Sequence, residues 1–262
     1  MAALPERAAW RAYRAEAWLT AARIQRDEAA AACLAKARED FDALEAAGTA
    51  GRPEVLFRRW EYHEALGERA AALADIRAAI AAGVDDTAAH HRRLAFSCIA
   101  GASGPGASAL LEEAIRAADG AESWNPQRAE LSCILRGDAL AAMAGLSNDP
   151  VQKAPDVALA RENYAKADSL AHLDARVRAE AHLRAAGACL VGGDFAAAVQ
   201  EAEDALRRRG EPSAAAGSSL FVNDYYLRSP LAAFHRRLSD AYAAAGRPAD
   251  AAREDALARA LR

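Results

Sequence analysis

The chain has 262 residues, 53% of them apolar and 27% charged, the balance of a globular protein. Thirty-three basic residues face thirty-seven acidic ones, a net charge of −4, which speaks against the basic excess of a dedicated nucleic-acid binder. Alanine fills about three positions in ten and aromatics only 6%, so the best helix former dominates and strand-like alternation is missing; the expected class is all-α.

In chain order, the N-terminus MAALPERAAWRAYR lacks the basic-then-apolar layout of a secretory signal. The expected compartment is therefore the cytoplasm, or the periplasm if a leader has been removed from a longer form. A first helix pair is read over 5–48. A second covers 53–82, with Gly67 at its turn and Ala72, Ile76, Ala79 and Ile80 spaced along the helix behind it. The third, 86–119, opens with HHRRLAFSCIAG and turns at GASGPG. The fourth, 127–172, has its turn lengthened by SNDPVQKAPD. The fifth, 175–210, contains AEAHLRAAGACLVGGDFAAAVQEAEDAL, in which Gly193 ends one helix, Asp194 caps the next, and Ala198, Ala202 and Ala205 share a face. The segment 211–230, EPSAAAGSSLFVNDYYLRSP, does not fit the repeating pattern and concentrates Phe221, Val222, Tyr225, Tyr226 and Leu227. A sixth pair, 230–261, repeats His-Arg-Arg-Leu of the third letter for letter. No apolar run is long enough to span a bilayer. Arginine far outnumbers lysine, which occurs only at Lys36, Lys153 and Lys166, a bias in keeping with a GC-rich bacterial genome. The cysteines, Cys33, Cys98, Cys133 and Cys189, are far apart and read as small core residues.

Ala186, Cys189, Gly193, Asp194, Phe195, Ala198, Ala205 and Leu206 in the fifth pair, and Leu238, Ser239, Tyr242, Gly246, Ala251 and Ala258 in the sixth, resemble the tetratricopeptide repeat, a two-helix motif of about 34 residues. The resemblance covers most of the chain as one repeat domain, 1–262. It implies a right-handed superhelix (α-solenoid) of about six antiparallel pairs, each stacked on its neighbours. His91, His182 and His235 stand where an aromatic is common in the family.

Catalytic signatures fail on inspection. There is no phosphate-binding GxxxxGK[ST], no GxGxxG and no GxSxG, and His63-Glu64 is followed by Gly67 where a zinc-binding HExxH needs its second histidine. His90 and His91 are adjacent on a helix and diverge by about 100°, so a shared metal with His63 is not expected. No metal and no cofactor is called for. On the third pair His91, Leu94 and Cys98 form one stripe, read as core, and Arg92, Phe96 and Ile99 form a second. The equivalents of the second stripe are Arg58 and Tyr62, Ile134 and Asp138, Leu183, Gly187 and Leu190, and Arg236, Asp240 and Ala243.

The resemblance implies that this second stripe lines a concave groove. The expected partner-binding residues are thus Arg58, Tyr62, Arg92, Phe96, Asp138, Leu183, Leu190, Arg236 and Asp240, with Tyr226 and Arg228 from the irregular segment. Arginine forks would clamp carboxylates and the apolar members would supply burial. Phe96 and Asp240 stand where carboxylate-clamp members of the family carry asparagine, so chaperone tails are not the expected ligand. The expected function is a non-enzymatic scaffold for a peptide or protein, with no nucleic-acid partner and no insertion into a membrane. A sensor of a small ligand or signal peptide is the first alternative, and an enzyme using His63, His90, His91 or Cys98 the second. The sequence sets no oligomeric state.

Overall fold

The computed structural model describes residues 5–25, 27–83, 87–171, 174–209 and 231–260. Among them are twelve α-helices, one short 3-10 turn (Pro126–Arg128) and no strands. They fall into two compact units, Met1–Gly101 and Ala102–Arg262. The first holds α1 (Pro5–Ile24), α2 (Asp27–Ala46), α3 (Pro53–Leu66), α4 (Arg69–Ala81) and α5 (Thr87–Gly101). The second holds α6 (Ala107–Trp124), α7 (Ala129–Leu146), α8 (Pro150–Leu170), α9 (Ala175–Gly192), α10 (Phe195–Arg209), α11 (Leu231–Ala244) and α12 (Pro248–Ala260). The unit boundary falls inside the third expected pair, between α5 and α6.

In the first unit α1 and α2 run antiparallel. Arg14 bonds Asp40, and further along α1 Trp18 lies under the Lys36 ammonium at 4.3 Å, so partner positions fall on α2 as they rise on α1. Their shared face is apolar. Ala12, Ala15 and Leu19 meet Ala37, Phe41 and Leu44, and Val55 and Tyr62 of α3 close the cluster. Polar ties fix α3 to its neighbours. Arg59 of α3 forks onto both oxygens of Asp75 on α4 at 2.7 and 2.6 Å, and the Trp60 indole N–H donates to Ser97 Oγ of α5 at 2.9 Å.

In the second unit α9 and α10 show how local chemistry sets the repeat. Asp174 caps α9 by accepting from the Arg176 and Val177 amides at 3.0 and 3.3 Å. Gly193 ends it at φ 78, a left-handed conformation that costs glycine little, and sends its N–H back to Leu190 O. Asp194 then accepts from Ala197 N at 3.0 Å and opens α10. Ala198, Ala202 and Ala205 are fully buried, and Leu183 and Ala186 of α9 pack with Leu238, Ala241 and Tyr242 of α11 around Ala202 and Ala205. Small residues on α10 allow this close helix approach.

Helix α7 is buried on most of its circumference, with Leu131, Cys133, Ile134, Leu135 and Ala139 almost free of solvent contact. Its Gly137 is required by proximity, since a Cβ there would stand 2.5 Å from the Tyr164 ring of α8. The long turn expected over SNDPVQKAPD is instead a short one. Asp149 caps α8 by accepting from Val151 N at 2.9 Å, and Pro150 occupies the first helical position, where no N–H is needed. Pro155 sits inside the helix. It forfeits one bond near the exposed N-terminal end, a loss the remaining turns outweigh. No helix among the described residues is long and apolar enough to cross a membrane.

Candidate functional site

The stripe expected to meet a partner divides into two populations. In the first unit its members are engaged in the fold. Arg58 donates from Nε to Glu16 at 2.8 Å and from Nη1 to Glu54 O at 2.7 Å, and its guanidinium lies 4.1 Å over the Tyr13 ring. Tyr62 is buried against Phe41, ring centroids 5.4 Å apart, and burial raises its phenol pKa. Arg92 is only 7% exposed, and Phe96 and Ile99 are half-buried.

In the second unit Asp138 accepts the Tyr164 hydroxyl at 2.8 Å and is paired with Arg184. This one carboxylate therefore joins α7, α8 and α9. Ile134 and Leu183 are each 1% exposed, and Leu190 is partly buried on the same cluster as Leu183. The last pair differs. Arg236, Asp240 and Ala243 of α11 are exposed, and neither Arg236 nor Asp240 has an ion pair or side-chain hydrogen bond among the described residues. Gly187, which holds on α9 the place that Asp240 holds on α11, is also exposed, and a Cβ built on it meets nothing within 4 Å. Solvent thus reaches the outer positions of the stripe on α9 and α11. Tyr226 and Arg228 lie outside the described residues.

Cys98, Cys133 and Cys189 are buried, and burial pushes the Cys189 thiol up to about 11, far from the thiolate a nucleophile needs. His63 faces Glu68 at 2.6 Å and Asp75 at 3.6 Å. The His90 ring tilts against Phe57 with centroids 4.1 Å apart. His91 is half-buried, and desolvation lowers its pKa.

Sequence reasoning missed the carboxylates that hold the repeat's histidines. His182 Nδ1 meets Glu201 of α10 at 2.7 Å, and His235 Nδ1 meets Glu254 of α12 at the same distance. The signal was present as an identical spacing of nineteen residues in both pairs. Arg184 and Tyr164 were also missed, because the partner they share lies on a third helix, at a separation no periodicity marks.

No protein-family model matches the sequence, and comparison with curated proteins finds no match. Among the solved structures that share the fold are the following two. One is PilW, a widely conserved type IV pilus biogenesis factor, 13% identical, with a TM-score of 0.62 over 98% of this chain and 94% of that one. The other is TTC0263, a thermophilic TPR protein of Thermus thermophilus, 16% identical, with a TM-score of 0.57 over 79% of this chain and 89% of that one. The chain has an all-α fold like that of tetratricopeptide-repeat proteins.

Proposed function

We propose that the chain is a non-enzymatic scaffold that receives a peptide or a segment of a partner protein on the stripe of first helices, centred on α9 and α11. The carrying observation is the contrast along that stripe. Arg58 and Asp138 spend their charges inside the fold, whereas Arg236 and Asp240 present theirs to solvent. An exposed arginine and aspartate one turn apart offer opposite charges, and the open space at Gly187 admits main chain beside them. Leu190, partly buried on the core, adds apolar contact at the rim.

The occupied histidines and the buried, high-pKa thiol support a binding role over a catalytic one. The cysteines are unpaired, which fits the cytoplasm; the periplasm, after loss of a leader, is the alternative. The test is quantitative affinity capture from the native host with wild type and Arg236→Glu. The charge reversal should lower recovery of the specific partner at least tenfold while leaving the circular dichroism spectrum unchanged. Equal recovery would remove Arg236 from the binding surface. Arg92→Glu is not a substitute for this test, because Arg92 is buried and its loss perturbs the fold first.

A further inference from the structure

The fifth and sixth helix pairs carry the same tie. His182 on α9 meets Glu201 on α10, and His235 on α11 meets Glu254 on α12, both at 2.7 Å and both nineteen residues apart. A contact that recurs in this way is accounted for by holding the two helices of a pair together. The fifth pair adds one carboxylate to it, Asp204 of α10, and α8 brings another, Asp168.

Asp204 lies three residues beyond Glu201, so both acids project from one face of α10. The sixth pair has Leu257 at the matching position. One ligand atom each from His182, Glu201 and Asp204 lies within 4.8 Å of the others. On the other side of the ring, Asp168 of α8 places Oδ1 3.6 Å from His182 Nε2. Arg178 Nε donates to that same oxygen at 2.9 Å, and Arg208 stands 3.9 Å from it.

We propose that His182, Glu201 and Asp204 form a binding site for a first-row divalent cation, Zn²⁺ above all, with Asp168 orienting the imidazole from behind. One imidazole nitrogen and two carboxylate oxygens are a donor set that suits Zn²⁺. Nδ1 stands 2.7 Å from Glu201, and Nε2 is buried without a hydrogen-bond partner among the described residues, with Asp168 Oδ1 3.6 Å behind it. An ion on Nδ1 would place the ring proton on Nε2, where a small shift brings that carboxylate into the carboxylate–histidine–metal arrangement. Binding needs the Nδ1 lone pair, so a proton on Nδ1 passes to Nε2 of the neutral ring or, from the doubly protonated ring, to solvent. It also frees Asp204 from Arg207, whose side chain is 64% exposed and can turn to water. The charges favour the cation. Asp168 is balanced by Arg178 and Arg208, leaving Glu201 and Asp204 to supply two negative charges to a doubly positive ion. The three ligands are half-buried, so water can complete the coordination. The ion would clip α9 to α10, the pair that carries Gly187 and Leu190.

The sixth pair provides an internal control. The full-length protein, freed of metal with a chelator, is titrated with ZnCl₂ at neutral pH by isothermal calorimetry. The expected result is one Zn²⁺ per chain for wild type and for His235→Gln. Asp204→Asn should abolish uptake, as should Asp204→Leu, which installs the residue the sixth pair uses. Asp168→Asn should retain the stoichiometry with roughly 10- to 100-fold weaker binding, the cost typical of losing a carboxylate behind a ligand histidine. Circular dichroism confirms that each variant is folded. The proposal is overturned if folded wild type takes up no Zn²⁺, if both Asp204 variants bind like wild type, or if His235→Gln abolishes binding.

Discussion

Burial lowers the His91 pKa, and no hydrogen-bond partner among the described residues meets its Nδ1. Its folded pKa therefore lies below the unfolded value of about 6.5. Above that value both states are neutral and the contribution to stability is whole. As the pH falls through it, the unfolded chain takes up a proton that the folded one resists, and stability declines until the folded pKa is passed. Between pH 7 and pH 5 wild type should lose more stability than His91→Gln, read as the shift of urea midpoint with pH. Equal slopes would show that His91 does not feel its burial. The neighbouring residue sets the limit of letter-by-letter reading. Arg92 and Arg236 occupy the same place in two copies of His-Arg-Arg-Leu, yet one is 7% exposed and the other faces water. The shared letters predict a shared helix; only the packing around each helix decides whether the guanidinium is inside.

At the scale of elements, helix identity and pairing were legible because alanine spacing, capping aspartates and a left-handed glycine are local signals. Gly193, Asp194 and the Ala198–Ala202–Ala205 stripe behave as their spacing predicts. The ties between pairs were not legible. Asp138 looked like a groove residue from its place on α7, but Tyr164 of α8 and Arg184 of α9 both spend their polar groups on it. Burial drives the Tyr164 hydroxyl pKa well upward, so it stays protonated and donates. Asp138→Ala would leave a buried guanidinium and a buried phenol without their acceptor, and the expected loss is about 3 kcal/mol or more in denaturant unfolding. Asp138→Asn keeps an acceptor for Tyr164 and should cost less than Asp138→Ala. Equal, small losses in both would mean that this carboxylate does not hold the three helices together.

At the scale of the molecule, several arginines among the described residues spend their charge on ties between helices. Arg14, Arg58, Arg59, Arg136 and Arg184 all fork or reach onto acids of other helices, so an arginine-rich composition does not by itself make an arginine-rich binding face. The partner surface proposed above is the stripe on α9 and α11, where Gly187, Arg236 and Asp240 meet solvent. The most direct measurement of that claim is site-specific photo-cross-linking in the native host. A photoreactive residue is placed at 187 or 240, with the exposed position 158 of α8 as control, and the products are identified by mass spectrometry. A partner seated on this stripe gives one shared protein adduct at 187 and 240, diminished by Arg236→Glu and absent at 158. An adduct at 158 alone, or at all three positions and indifferent to Arg236→Glu, would contradict it.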